Sequence, residues 1–384
     1  PGLRIFHCKP PLPMKILLLG DASNYHAALA HGLRSLGHSV TLASAGSAWM
    51  DTSRDIDISR RGTSLLSGAV LFARMLALAE TRLKGFDVVQ LVSPTFAELR
   101  PARLERILRS LRRGNGAVWL TALGTDSNYV AALTGANPPL RYSEWHGRDG
   151  LRPWAHSPQA KMEQWLAPEL ADYTEALYGS VDGIVTALYE YHAVLAHTHP
   201  QLRTVYGGIP VALDLLPQPA ERIAGEPLAM LYAAHKGREG EKGSLQLLEI
   251  LETACREFPG RVRLLKPQNM PYARFLKVLA ESDIVADQIY SFTPATTALL
   301  SMAMGAAVLS GGEPEYYRFI GEDTLRPVLN VIPDNPEANY GILRKMISEP
   351  EALRQVRQQG REFVERHNSA SVVARRFLEA WLNG

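Results

Sequence analysis

Short runs of Val, Ile, Leu and Ala recur along the chain at 15–20, 39–44, 87–93, 117–124, 183–188 and 204–209. They recur again at 228–234, 262–266, 284–289, 306–310 and 328–332. A strand with one wet face alternates apolar and polar residues. Runs that are apolar at successive positions predict strands covered on both faces, as in parallel sheets. Helical periodicity fills most of the gaps. Leu29, Leu33 and Leu36 share one face, as do Leu104, Ile107, Leu108 and Leu111, and Leu247, Leu248, Leu251 and Ala254. Strands alternating with helices predict right-handed crossovers. The two series therefore predict an α/β chain of two doubly wound, Rossmann-like parallel-sheet domains.

A chain of 384 residues is also too long for one ordinary core. The boundaries follow from punctuation. Residues 1–13 hold four prolines and precede Met14, so they read as a loose tail. The first domain is expected over 14–213, with a Trp- and Pro-rich excursion at 137–168 directed toward a cleft. Pro217, Pro219 and Gly225 mark a linker at 214–227. The second domain is expected over 228–366, and a last helix over 367–384.

Bulk chemistry excludes several classes. A net charge of +2 gives no polyanion signal, so no nucleic-acid partner is expected. Cys8 and Cys255 form neither a disulfide framework nor a metal-ligand spacing, which suits a cytoplasmic protein. No apolar run is long enough to span a bilayer. The segment 100–113 carries six arginines opposite its leucines. It reads as a solvated face or as a peripheral contact with an anionic leaflet, which would place the protein at the inner face of the membrane. The oligomeric state is left open.

Four loops stand where ligands of such sheets bind, at carboxyl ends of strands. In KILLLGDASNYH, Asp21, Asn24 and His26 suit a hydroxyl-rich ligand or a capped helix start; the single glycine excludes a GxGxxG fingerprint. In TALGTDSNY, Asp126 reads either as a base for an acceptor hydroxyl or as another cap. In AAHKGREGEKGS, Gly237 allows close backbone approach, and Arg238 and Lys242 can neutralise a diphosphate as its charge grows. After the 284–289 run come Asp287 and Gln288, as pocket lining or loop caps. Thr296 and Thr297 then stand in the first turn of a helix, a natural phosphate seat. No DxD pattern lies in these loops, so neither a metal nor another cofactor is expected.

The segments GREGEKGSLQLLEIL, SDIVADQ, ALLSMAMGAAVLS, EPEYYRFIGED and EALRQVRQQGREFVERHNSASVVARRFLEAWL resemble, in order and spacing, the GT-B glycosyltransferases of the family-4, or group 1, kind. MKILLLG, LRSLGHSV and ALGTDSNY resemble their first domain more weakly. The resemblance implies a GT-B fold and transfer of a sugar from a nucleotide-sugar donor to a glycan or glycolipid acceptor. It implies that the second domain binds the donor, the first the acceptor, and that the last helix crosses back onto the first domain. Arg238 and Lys242 match the diphosphate-binding pair, with a separation one residue shorter than usual. Phe292 and Leu300 stand where the family carries two glutamates, so Asp287, Gln288, Glu313 and Glu315 become candidate substitutes on the donor side. The same departure leaves a second expectation, a catalytically degenerate nucleotide-sugar-binding or partner protein.

Overall fold

The computed structural model describes residues 13–47, 50, 52–220, 225–234, 237–268 and 270–383. The proline-rich start at 1–12 and part of the linker, 221–224, lie outside the described residues. The strands in chain order are β1 (Lys15–Leu19), β2 (Ser39–Ser44), β3 (Ile56–Asp57), β4 (Val88–Leu91) and β5 (Ala117–Ala122). There follow β6 (His146–Gly147), β7 (Gly150–Leu151), β8 (Gly183–Thr186) and β9 (Thr204–Tyr206). The second series is β10 (Leu228–Tyr232), β11 (Val262–Leu265), β12 (Ile284–Ala286), β13 (Ala307–Ser310) and β14 (Leu329–Asn330).

They form a seven-stranded sheet ordered β3-β2-β1-β4-β5-β8-β9 and a five-stranded sheet ordered β11-β10-β12-β13-β14. Every pairing in both sheets is parallel. The α/β class of two doubly wound parallel sheets is therefore present. All eleven anticipated runs are strands, with β3 and the small β6–β7 hairpin added. Nine of the eleven runs continue past their strands at the carboxyl end, while those of 39–44 and 306–310 stop with them. The strand within 284–289 stops at Ala286, which releases Asp287 and Gln288 into a loop.

Both sheets reverse direction beside their first strand. Helix Tyr25–Ser35 after β1 packs on one face, and helix Pro101–Gly114 after β4 packs on the other. Helix Ser244–Glu257 after β10 and helix Thr296–Ala303 after β12 divide in the same way. Each sheet thus has a switch point, where strand ends leave an open crevice.

One core joins the two sheets. It holds Leu29 and Leu33 of the first domain, Leu299 and Met302 of the second, and Phe377 and Trp381 of the last helix, Ala370–Leu382. That helix reaches the first sheet. The Trp381 indole N–H donates to Gln90 Oε1 at 3.0 Å, and Gln90 Nε2 donates to Thr121 Oγ1 at 2.9 Å. The entry to the helix is fixed by backbone bonds from Val211 N to Asn368 O at 2.7 Å and from Ala370 N to Val211 O at 2.8 Å. Among the described residues, no helix is long and apolar enough to cross a membrane.

Gly32 permits the close approach of this last helix. A Cβ at position 32 would lie 2.1 Å from the Ala370 carbonyl oxygen, a backbone atom that cannot rotate away. In an unpacked helix Gly→Ala stabilises by about 1 kcal/mol. Here the sign reverses: Gly32→Ala is expected to destabilise by about 1–3 kcal/mol. Thermal unfolding checks this, and an unchanged or higher melting temperature would contradict the packing described.

Candidate functional site in the interdomain cleft

The cleft is built by loops at the carboxyl ends of β1, β5 and β8 on one side and β10 and β12 on the other. A cavity of about 360 Å³ there is lined by Ala22, Ser23, Gly124, Tyr129, Glu144, Glu190 and Tyr191 from the first domain. Arg238, Glu241, Lys242, Gln288, Thr296 and Thr297 line it from the second. A larger hollow of about 700 Å³ adjoins it within the second domain. Its lining includes Tyr232, Leu245, Leu248, Met270 and Phe275, and it shares Lys242 and Thr297 with the cleft.

The cationic element is a one-turn helix, Glu239–Lys242. Gly237 precedes it with φ +87°, a conformation that favours glycine. Both cations have intramolecular partners. Lys242 Nζ lies 2.6 Å from Asp287 Oδ1. Arg238 Nε donates to Glu241 Oε2 at 2.7 Å, and this bond with the nearby negative charge outweighs burial and holds the guanidinium above its usual range. Asp287 is fully buried behind Lys242, and its Oδ2 has no hydrogen-bond partner among the described residues. It is therefore the lysine's counter-ion rather than part of the cavity wall.

Beside this pair begins helix Thr296–Ala303. Its N-cap, Ala295, contributes no side-chain hydrogen bond, so the first-turn N–H groups remain available at the cleft. The local field of a helix N-terminus favours an anion, and Arg238 and Lys242 reinforce it.

Other anticipated residues have structural roles. Asp126 is buried and caps helix Ser127–Thr134, accepting from Tyr129 N at 2.8 Å and from the Tyr178 hydroxyl at 2.7 Å. With both oxygens engaged it stands behind the cleft wall, and of its two readings the structure displays the cap. Asp21 Oδ1 accepts from His26 N at 2.9 Å; burial raises this carboxyl to about 6. His26 is fully buried, with Nδ1 2.7 Å from the Gly20 carbonyl oxygen, and burial lowers it to about 4. Asn24 adopts the left-handed conformation at the start of helix Tyr25–Ser35 and accepts from Thr52 Oγ1 at 3.1 Å. These three shape the turn, while Ala22 and Ser23 of the same loop face the cavity.

Glu313 and Glu315 are held by the excursion. Arg141 donates to Glu313 Oε2 at 2.8 Å and to Glu315 Oε1 at 2.9 Å, and the Tyr142 hydroxyl donates to Glu313 Oε1 at 2.7 Å. Neither glutamate lines the cavity, because the two anions fasten the excursion to the second domain. Phe292 is buried in an apolar box, stacked on Tyr142 with ring centroids 4.7 Å apart. Leu300 is buried in the core that joins the domains. Positions 292 and 300 thus present no hydrogen-bond acceptor side chain.

A carboxylate reaches that loop from the opposite domain instead. Glu190 Oε1 accepts from the backbone N–H of Phe292 at 2.6 Å and of Thr293 at 3.0 Å, and Oε2 accepts from Thr293 Oγ1 at 2.6 Å. Sequence reasoning missed Glu190, as it missed Glu144, Tyr129 and Tyr191. The tyrosine rings stand 4.9 Å apart. Burial, with Glu241 and Glu190 nearby, pushes the Glu144 carboxyl up to about 8. The only signal in the sequence was the density of polar and aromatic residues in 137–168 and around 189–192.

That shift has a consequence for stability. Glu144 holds its proton in the folded state at pH values where the unfolded chain has released it, so folding loses stability as pH rises from about 4.5 through about 8. Glu144→Gln removes this titration. The variant is expected to melt near wild type at low pH and progressively above it toward pH 9. Melting curves across that range check it; a difference that does not grow with pH would contradict the buried, proton-holding carboxyl.

No family model matches the chain, and no curated protein does. Solved structures do. Sucrose-phosphate synthase from Thermosynechococcus elongatus aligns at 13% identity and TM-score 0.60, over 96% of this chain and 98% of that one. Anabaena HepE, solved in complex with UDP and glucose, aligns at 10% identity and TM-score 0.60, over 97% and 100%. A glycosyltransferase from Rickettsia africae aligns at 14% identity and TM-score 0.58, over 97% and 98%. With two parallel sheets, a cleft between them and a last helix crossing back, the chain has the GT-B fold.

Proposed function

We propose that this protein is a glycosyltransferase that moves a sugar from a nucleotide-diphosphate sugar to the hydroxyl of a glycan or glycolipid acceptor. One observation carries the reading. Arg238, Lys242 and the uncapped N-terminus of helix Thr296–Ala303 converge on one spot, where the cleft meets the hollow of the second domain. A diphosphate at that spot would extend a nucleoside into the hollow lined by Leu245, Met270 and Phe275 and a sugar into the cleft. HepE, with its bound UDP and glucose, makes UDP the first nucleotide to try.

The acceptor would enter past Ser23, Tyr129 and Tyr191. Its hydroxyl oxygen bonds to the anomeric carbon, and the bond from that carbon to the diphosphate oxygen breaks, leaving the electron pair on the diphosphate. The growing charge is met by Arg238, Lys242 and backbone N–H groups that are already oriented, so they stabilise the transition state more than the ground state. Glu144 is the cavity carboxylate placed to accept the acceptor's proton, in its ionised form, whose share grows as pH rises through about 8. It takes the part the sequence offered to Asp126.

The structure decides which variants test this. Removing Lys242 alone would strand the buried Asp287 carboxylate, a loss of about 3–5 kcal/mol that would obscure any catalytic effect. Arg238 is half-exposed, so Arg238→Ala is the cleaner substitution, paired with the charge-neutral double variant Lys242→Met/Asp287→Asn. Each is expected to lower turnover of the responsive UDP-sugar by roughly 100-fold or more while the melting temperature stays within a few degrees. Activity is expected to persist in EDTA, because the protein's own cations face the leaving group. Wild-type rates in both variants would reject the assignment, and loss in EDTA restored by Mn²⁺ or Mg²⁺ would reject metal independence. Donor binding without transfer to any acceptor would favour a degenerate binding protein, consistent with the apolar side chains at Phe292 and Leu300.

A further inference from the structure

Helix Leu65–Glu80 links β3 to β4 and packs beside helix Pro101–Gly114 on the sheet face away from the core that joins the domains. Its sequence, LLSGAVLFARMLALAE, is apolar nearly all round. Leu71, Met75 and Ala79 account for the buried side. Among the described residues, no segment covers the opposite side. Leu65 is 78% exposed, Leu66 73% and Val70 60%, and Ala73 and Ala77 continue the stripe in solvent. A surface helix of a soluble domain normally has a polar outer face. Here three of the largest exposed aliphatic side chains of the chain stand within six residues.

Cations frame this stripe. Arg103 and Arg106 lie over the Phe72 ring at 5.5 and 5.4 Å. Arg60 and Arg103 both border Gly68, one turn from Leu65. Arg60 is tied there by bonds to Ser67 Oγ at 3.1 Å and to the Thr63 carbonyl at 3.1 Å. Among the described residues, no carboxylate forms an ion pair with Arg60, Arg61, Arg100, Arg103 or Arg106. Arginines around an exposed aliphatic ridge present the two chemistries that an anionic lipid surface takes up: acyl burial for the ridge and headgroup phosphate for the guanidinium groups.

We propose that helix Leu65–Glu80, with Arg60, Arg103 and Arg106, is a docking surface for an anionic lipid leaflet. Leu65, Leu66 and Val70 enter the acyl boundary while the arginines hold phosphates. The helix lies in the interface rather than crossing it. The proposal concerns a surface distinct from the cleft and stands whether or not the cleft transfers sugar.

Flotation of the full chain with vesicles tests it, without substrate or nucleotide. The protein is expected to float with phosphatidylcholine vesicles containing phosphatidylglycerol, to stay behind with phosphatidylcholine alone, and to be released by rising salt. Leu66→Asp/Val70→Asp is expected to abolish flotation. Arg103→Gln/Arg106→Gln is expected to reduce partitioning by roughly tenfold or more. All four side chains are at the surface, so unchanged melting temperatures would show that the fold is intact in both variants. Absence of flotation with the anionic vesicles, or flotation untouched by both variants, would overturn the proposal. So would a dimer in sedimentation that Leu66→Asp/Val70→Asp dissolves, which would assign the face to a second copy.

Discussion

The relation of the two domains turns on the Glu190 carboxylate. It is buried, and burial raises its affinity for a proton, while two backbone N–H groups and a hydroxyl of the opposite domain offset part of that penalty. Charge-assisted bonds of this kind are about twice as strong as neutral ones. The loop they hold, 291–295, leads directly into helix Thr296–Ala303. The contact that joins the domains therefore also sets where the anion-seeking helix end points. The Arg141 and Tyr142 bonds to Glu313, the Phe292 stack and the Arg152 guanidinium 4.1 Å over the Tyr290 ring surround the same seam. Together with the returning helix Ala370–Leu382, they fix the walls of the cleft.

Electrostatics within the cleft follow from this closure. Five ionisable side chains, Glu144, Glu190, Arg238, Glu241 and Lys242, line a cavity of about 360 Å³. At rest the cations are neutralised by their own neighbours, Lys242 by Asp287 and Arg238 by Glu241. Asp287 remains a permanent counter-ion because it is fully buried, whereas Glu241 is partly exposed and free to yield Arg238 to a diphosphate. Burial, with the neighbouring carboxylates Glu241 and Glu190, leaves Glu144 holding its proton at neutral pH. An incoming polyanion thus meets a site that is preorganised but not strongly cationic.

Much of this fold was legible because its strands are covered on both faces, and unbroken apolar runs leave few other readings. The loop 233–244 was legible because glycines and cations alternate directly after a strand. What escaped was set by distant partners. Asp126 has the same local sequence whether it caps or catalyses; the hydroxyl of Tyr178, 52 residues on, settles its environment. Glu190 and Phe292 are 102 residues apart, and Tyr142 and Glu313 171 apart, so no local pattern could reveal them as one seam. The 284–289 run was read three residues too long because Asp287 follows an apolar strand without punctuation. Helix Leu65–Glu80 passed unnoticed because it lacks the polar face that marks an amphipathic surface helix.

The central claim is that the cleft seats a nucleoside diphosphate between Arg238, Lys242 and the start of helix Thr296–Ala303. Thermal unfolding against UDP, GDP, ADP, CMP and NAD tests it most directly. A ligand at about 100 times its dissociation constant stabilises by about 2.7 kcal/mol, a shift of several degrees. Such a shift is expected with one nucleoside diphosphate, and its loss is expected in Arg238→Ala. A response to NAD alone, or no response to any nucleotide, would contradict it.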